Sequence, residues 1–164
     1  MSRKYFSKFA LAAICVAMSV FGTSAQMPNP YGAPITLEQA KKAAAPAMAE
    51  AAKNSWNMAV AIVDPSGNLV YYEKMDATQL GSANFAIEKA RSAALFKRPT
   101  KAFQDGLTAT PDGLRILAID GAVPVEGGVP LVIGEKIVGA IGVSGGTSAQ
   151  DGQCAKAGVD ALQG

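Results

Sequence analysis

The chain has 164 residues, with 15 Lys and Arg, 13 Asp and Glu, no histidine, and 49% hydrophobic positions. This length suits one domain. Because histidine is the side chain that titrates near neutral pH, its absence excludes histidine-based catalytic triads, histidine metal or haem ligands and a histidine pH switch. Composition and periodicity alone predict a globular domain and no particular activity.

The N-terminal segment has the pattern of an export signal. Residues 1–8 carry three basic side chains, residues 9–21 are almost entirely apolar, and small residues precede Gln26. An apolar run of about 13 residues is too short for the roughly 20 that a membrane-spanning helix needs. We therefore expect a signal peptide over 1–25, a periplasmic or secreted location, and no stable membrane insertion after cleavage. An uncleaved membrane anchor is the alternative.

Cleavage of that signal would change both the charge and the cysteine content. It removes three basic residues and Cys15, so the formal net charge falls from +2 to −1 and Cys154 is the single cysteine left. This balance lacks the excess of cations that nucleic-acid binding needs, so we expect no nucleic-acid partner. Helix-like surroundings without an adjacent basic residue favour a buried Cys154 thiol over a reactive one.

The remaining chain alternates helix and strand patterns. Three prolines and one glycine predict a flexible lead-in over 26–34. The capping-box pattern that begins at Thr36 predicts a helix to about Lys53, kinked at Pro46. Spacing of apolar residues and turn residues defines the other elements. They are a strand at 57–63, a turn at 64–68, a strand at 69–75, a helix at 82–95, a short helix at 100–106, a long loop at 107–129, strands at 130–133 and 136–143, and a helix at 149–162.

These elements predict an α+β fold over 35–164, in which a central antiparallel sheet is flanked by helices. The strand at 57–63 is apolar on both alternating faces and should be covered on both sides. Small residues on the 82–95 helix should let it lie close to the sheet. Gly134-Glu135 predicts a type II′ turn, and the long loop is a candidate wall of a binding site.

One glycine-rich segment matches a catalytic motif only formally. Residues 142–146 read G-x-S-x-G, but the base that activates the serine in that motif is a histidine, which this chain lacks. Lysine could substitute, although the hydrolase fold needs a larger parallel sheet than this sequence predicts. The same segment leads into a predicted helix, whose free N–H groups could bind a carboxylate or phosphate. Alternatively, the glycines serve only close packing. Ser144, Gly145 and Gly146 are therefore candidate ligand-binding residues.

A second candidate feature is a cluster of cations between residues 89 and 101. Its members are Lys89, Arg91, Lys97, Arg98 and Lys101. Arginine pairs well with the carboxylates of an anionic small molecule, whereas a solvated helix face is the plainer interpretation. Scattered carboxylates give no spacing typical of a metal site. Tyr71, Tyr72 and Met75 could contact a flat aromatic ligand, although their strand spacing also fits ordinary packing.

Five segments together resemble the GlcG/HbpS family, also called the haem-degrading or DUF336 domain, which includes the C-terminal domain of PduO-type proteins. The segments are ITLEQA at 35–40, AIVDPSGNLV at 61–70, EKARSAA at 88–94 with FKRPT at 96–100, GGVPL at 127–131 and GAIGVSGG at 139–146. The resemblance implies an α+β domain with profilin-like or PAS-like layers that assembles into homo-oligomers.

The resemblance also implies a ligand. Some relatives are exported and bind haem, so we expect reversible binding of haem or a related anionic tetrapyrrole, in haem handling or redox sensing, with a membrane-bound sensor as a further partner. Arg91, Arg98 and Lys101 would pair with the propionates. The other expected ligand-binding residues are Thr100, Gly127, Gly128 and the glycine-rich segment, and the candidate oxygen ligands to iron are Thr100, Thr108 and Thr110.

Two other functions are compatible with the resemblance. The first is a non-catalytic assembly or interaction module, accessory to a pathway such as glycolate or corrinoid metabolism. The second is an enzyme that degrades haem, in which the iron rather than a side chain performs the oxidative step. No catalytic side chain is assigned in either case.

Overall fold

The computed structural model describes residues 29–163, so the predicted signal peptide lies outside the described residues. Its elements are α1 (Leu37–Lys53), β1 (Ala59–Val63), β2 (Leu69–Lys74), α2 (Gly81–Phe96), α3 (Thr100–Ala109), a 3₁₀ segment (Pro111–Ala118), β3 (Gly128–Ile133), β4 (Lys136–Ser144) and α4 (Ser148–Gln163). Within the described residues, no helix combines the length and the apolar character that a membrane crossing requires.

The four strands form one sheet in the order β2-β1-β4-β3, and every neighbouring pair is antiparallel. Helices α1 and α4 cover one face, where Val60 and Ile62 join their core. Helix α2 covers the other face and packs on Ala59, Ala61 and Val63. All of β1 is therefore buried, as its two apolar faces predict. The predicted α+β class is confirmed.

Helix α1 begins with the predicted capping box. The Thr36 hydroxyl accepts the Gln39 N–H at 3.2 Å, and the Thr36 N–H donates to Gln39 Oε1 at 3.0 Å. These two bonds satisfy backbone donors that a helix N-terminus leaves free. The helix then continues through Pro46 to Lys53.

Helix α2 lies unusually close to β4, as its small residues predict. A Cβ added at Gly142 would overlap the carbonyl oxygen of Ala86 and lie 2.6 Å from the Ala90 nitrogen. Glycine at 142 and alanine at 86 and 90 thus bring the two backbones into contact. This close approach places the buried side chains of α2 directly beside the end of β4.

The described part of the lead-in makes backbone hydrogen bonds to β4. The Ile137 N–H donates to the Pro30 carbonyl at 2.9 Å, and the Gly32 and Ile35 N–H groups donate to the Ile137 and Val138 carbonyls, both at 2.8 Å. Residues 30–35 therefore lie along β4 in this structure. The prolines only restrict which residues can donate, and the N–H groups between them still reach the strand.

Two local predictions are wrong. Most of residues 107–118 is helical rather than loop: α3 continues to Ala109, and after the extended Thr110 the 3₁₀ segment begins at Pro111. Gly113 lets that segment pack against the last turn of α3, where a Cβ would overlap the Gly106 and Leu107 carbonyls. The turn between β3 and β4 has positive φ at both Gly134 (54°) and Glu135 (62°), which is the type I′ pattern, not type II′. Glycine at the first turn position fits both turn types, so the sequence alone does not distinguish type I′ from type II′.

Candidate functional site

A hollow of about 320 Å³ lies between the start of α3, the start of β3 and one side of α4. Its apolar wall is formed by Pro99, Val129 and Val159, and Gly127 and Gly128 form part of its lining. Of the residues predicted to bind a ligand, the hollow brings together Lys101, Gly127 and Gly128. An apolar cavity with a few charged groups is the usual form of a small-molecule site.

Two lysines stand at the edge of this hollow. Lys101 Nζ lies 2.7 Å from both carboxylate oxygens of Asp105, and Lys156 Nζ lies 2.6 Å from Asp160 Oδ2. Each pair joins residues four apart on one helix, and the hydrogen bond to Asp105 raises the pKa of Lys101 above its ordinary value. Such exposed pairs contribute little stability and exchange partners readily. A ligand anion would have to replace these carboxylates, and Glu126 also lines the hollow near Lys101.

A buried ion pair lies directly behind Gly127. Lys89 Nζ is 2.6 Å from Asp151 Oδ2 and also donates to the Val143 carbonyl at 3.1 Å. Gly127 has φ +127°, and a Cβ there would lie 2.9 Å from Lys89 Nζ. Glycine is thus required at 127 both for its backbone conformation and for the space that the ammonium group occupies.

Burial dominates the protonation of this pair. Loss of hydration lowers the pKa of Lys89 and raises the pKa of Asp151, while the attraction between the two charges opposes both shifts. Lys89 is fully buried, so the interpretation of residues 89–101 as one exposed cationic cluster is wrong. The helical spacing indicates this burial, because Lys89 follows Ala86 by three positions and precedes Ala93 by four and so lies on the same face of α2.

Arg91 and Arg98 do not line the hollow. Arg91 Nε donates to the Gly67 carbonyl at 3.0 Å, and its guanidinium lies 2.9 Å from Glu88. Arg98 Nε donates to the Phe96 carbonyl at 3.1 Å and lies over the Phe103 ring. Each arginine thus makes contacts of its own, and neither is among the described residues that line this hollow with Lys101.

The predicted threonine ligands have separate surroundings. Thr100 is fully buried, and its hydroxyl accepts the Gly128 N–H at 2.9 Å, which joins the start of α3 to the start of β3. Thr108 lies on the exposed side of α3, where its hydroxyl donates to the Asp105 carbonyl at 3.4 Å. Thr110 is exposed just before the 3₁₀ segment. None of the three lines the hollow.

The glycine-rich segment does bind a carboxylate, and that carboxylate belongs to the chain itself. The Gly146 N–H donates to Asp151 Oδ1 at 3.0 Å, and the Thr147 N–H donates to Gln150 Oε1 at 2.9 Å. The start of α4 is therefore capped from within. Ser144 lies apart from these bonds and lines a second cavity at the start of α2.

The aromatic and metal candidates show mostly structural roles. Met75 packs against the main core, and the Tyr71 hydroxyl donates to Glu73 at 2.9 Å. The Tyr72 hydroxyl is buried and has no hydrogen-bond partner among residues 29–163. Within residues 29–163, no group of three or more Asp, Glu or Cys side chains is placed to hold a metal ion.

Sequence reasoning missed Asp151 and Lys156. Asp151 precedes the buried Cys154 by three positions on α4, so its place on the buried face is visible in the helical spacing. Nothing in the sequence associates Lys156 with Lys101, because only the packing of both α4 and α3 against β3 brings them to one hollow.

Comparisons with known proteins are consistent with this fold. The family model described as "Haem degrading protein HbpS-like" matches residues 35–160. Protein GlcG of Escherichia coli K12 is 37% identical over 99 residues, which cover 58% of this chain and 69% of GlcG. The crystal structure of Klebsiella pneumoniae ORFY superposes with a TM-score of 0.73 at 27% identity, covering 85% of this chain and 98% of ORFY.

A crystal structure of PduOC in complex with haem also superposes, with a TM-score of 0.71 at 25% identity, covering 79% of this chain and 95% of PduOC. The family match spans α1 to α4, and so includes every element that forms the hollow. This chain belongs to the HbpS-like family.

Proposed function

We propose that this protein is an exported, oligomeric domain that reversibly binds haem or a related anionic tetrapyrrole in the hollow beside Gly127. The observation that carries the proposal is the apolar wall beside Lys101 and Lys156, the two cations in a lining that also includes the carboxylates of Glu126 and Asp160. Membership of the HbpS-like family and the haem complex of PduOC support the choice of ligand. A role in haem handling or redox sensing belongs to the same proposal.

The residues of the hollow fit two parts of haem. Pro99, Val129 and Val159 offer apolar surface to the ring, and the two lysines would pair with the propionates in place of Asp105 and Asp160. Bound haem supplies a redox-active iron. The described residues that line the hollow include no Met, Cys or Tyr, and the Thr100 hydroxyl is bonded to Gly128. We therefore assign the ring and propionate contacts and no iron ligand.

The size of the hollow explains why an oligomer is part of the proposal. Its volume, about 320 Å³, is at the lower end of the roughly 300–1,000 Å³ typical of cavities that bury a ligand. One chain would thus cover one edge of a tetrapyrrole. A second copy of the chain would cover the rest.

A Soret titration of the apo-protein tests the proposal. We expect saturable binding of haem. The dissociation constant should be about tenfold higher for the variant Lys101→Ala/Lys156→Ala, because that variant lacks both charge-assisted bonds to the ligand. The matched control is Arg91→Ala/Arg98→Ala, which removes the same charge outside the hollow. If the arginine variant loses haem affinity and the lysine variant retains it, haem does not bind in this hollow.

An assembly module is the second candidate, because the 3₁₀ segment exposes apolar side chains. Leu114 is 67% and Leu117 63% exposed, and Ile119 follows directly after. Native mass spectrometry of haem-free protein separates the two functions. A stable oligomer whose mass and thermal stability do not change on addition of haem would favour the assembly role.

A further inference from the structure

A second cavity, separate from the proposed haem hollow, lies at the start of α2. Its volume is about 400 Å³, and it is bordered by the loop before α2, the first two turns of that helix and the end of β4. It shares no lining residue with the hollow beside Gly127. The haem proposal therefore leaves this cavity without a role.

A buried hydroxyl that lines this cavity has no partner. Ser82 is 2% exposed, and its Oγ makes no hydrogen bond to any described residue. A buried polar atom that lacks a partner destabilises the folded protein relative to an apolar replacement. The atom is buried in this conformation, so rotation of the Ser82 side chain towards the cavity would be needed for a ligand hydroxyl to give it the missing bond. Ser144, 3% exposed, presents a second hydroxyl-bearing side chain to the same space.

The charge of the cavity favours an uncharged ligand. Glu88 is its only ionisable lining residue among those described, and the Arg91 guanidinium lies 2.9 Å from that carboxylate. Gln79 and Asn84 add amide groups that both donate and accept hydrogen bonds. A ligand anion would face the carboxylate of Glu88 without a lining cation to bind it. A ligand cation would compete with Arg91.

The remaining lining is apolar or open. The Phe85 ring is 37% exposed and offers a flat surface to C–H groups. A Cβ built at Gly81 would meet no atom within 4 Å, so the space beside the first residue of α2 is free. Hydroxyl and amide groups around an aromatic surface complement a compact molecule that carries several hydroxyl groups on a carbon frame.

We propose that the cavity at the start of α2 binds a small, uncharged, polyhydroxylated molecule about the size of a monosaccharide, with the Ser82 hydroxyl as a direct hydrogen-bond partner.

The test is a titration of the ¹⁵N-labelled chain, without its predicted signal peptide, with glucose, glucuronate and glucosamine, followed by amide chemical shifts. These probes share one ring and differ in charge. We expect saturable shifts at residues 79–88 and at Ser144, with glucose binding more tightly than either charged analogue. No saturable shift with glucose, or tighter binding of glucuronate or glucosamine, would overturn the proposal.

Two variants separate a binding role from a structural one. Ser82→Ala should weaken glucose binding about three- to tenfold, the loss of one hydrogen bond, while its melting temperature stays the same or rises. Gly81→Ala should weaken binding by filling open space, again without loss of stability. Leu95→Ala, on the exposed last turn of α2, is the control and should bind glucose normally.

The same variants give clear contrary outcomes. A lower melting temperature for Ser82→Ala with unchanged glucose binding would show that the hydroxyl is structural and that the proposal is wrong. The haem titration is an independent readout, because Ser82 and Gly81 do not line the haem hollow. Normal haem binding by both variants is expected, so this site and the haem site can fail separately.

Discussion

Lys89 Nζ lies 2.6 Å from Asp151 Oδ2, and the two side chains are 0% and 4% exposed. The pair joins α2 to α4, the helices that cover opposite faces of the sheet, beside the last residues of β4. Asp151 also accepts the Gly146 N–H, and Lys89 donates to the Val143 carbonyl. One ion pair thus connects both helices with the strand that lies between them.

Breaking this pair from one side should destabilise the fold. We expect Lys89→Met to lower the free energy of unfolding by about 3–5 kcal/mol, because it leaves the Asp151 carboxylate buried without its cation. The double variant Lys89→Met/Asp151→Asn should lose clearly less free energy of unfolding than the sum of the losses in Lys89→Met and Asp151→Asn. Asn also retains an oxygen for the Gly146 N–H. Urea unfolding of the four proteins measures this coupling, and additive losses would contradict it.

Thr100 should act through its bond to Gly128 rather than through iron. Thr100→Val removes the acceptor for a buried N–H and should cost about 1–3 kcal/mol of unfolding free energy. Thr100→Ser keeps the hydroxyl and should be less destabilising. Denaturant unfolding measures the difference between the variants. If haem binds, its Soret maximum should be the same in all three proteins, and a shift in Thr100→Val alone would instead indicate an iron ligand.

Gly142→Ala should be strongly destabilising, because its new methyl group would overlap the Ala86 carbonyl and force α2 away from β4. We expect the free energy of unfolding to fall by about 1–3 kcal/mol, the range typical of overpacked cores. Gly81→Ala is the matched control, since it adds the same methyl group where no atom lies within 4 Å. Equal melting temperatures for the two variants would show that α2 and β4 are not in close contact.

Cys154 should be unreactive in the folded protein. Burial, and then the charges of Glu50 and Asp151, raise the pKa of its thiol from 9.0 to about 11. At pH 8 the thiol is therefore protonated as well as inaccessible, and a thiol-specific reagent such as dithionitrobenzoate should label it only after unfolding. Rapid labelling of the native protein would contradict the structure.

The raised pKa of Cys154 also predicts a pH dependence of stability. The folded state disfavours the thiolate, so the protonated thiol contributes about 2–3 kcal/mol to the free energy of unfolding. This contribution is fully present below pH 9 and is lost as the pH rises towards 11. Comparison with Cys154→Ala isolates this contribution from other groups that titrate in the same range. The difference in unfolding free energy between the two proteins should change between pH 8 and pH 11.

Much of the fold was predictable because it depends on local patterns. The capping box at Thr36, the doubly apolar strand β1 and the small residues of α2 each report the surroundings of their own segment. Their predictions held because burial on a sheet face imposes the periodicity that the sequence displays. The errors occurred where one glycine fits two conformations, as at Gly134, or where glycine permits contact between elements, as at Gly113.

The candidate site depended more on tertiary contacts. Lys101, Gly127 and Gly128 were predicted from the family resemblance and do lie together, whereas Lys156 enters the hollow only because α4 packs beside β3. The same packing decides the state of each charge. Sequence spacing places Lys89 and Arg91 two residues apart, and the fold buries one against Asp151 and leaves the other at the surface.

The amino-acid sequence by itself determined the order of helices and strands, the faces that they bury and the family to which the chain belongs, because these follow from periodic burial and from local motifs. Only the tertiary structure decided which charges meet, which hydroxyl lacks a partner and which residues share a cavity. Those properties arise between segments far apart in the chain, where distance and desolvation rather than spacing set the interaction.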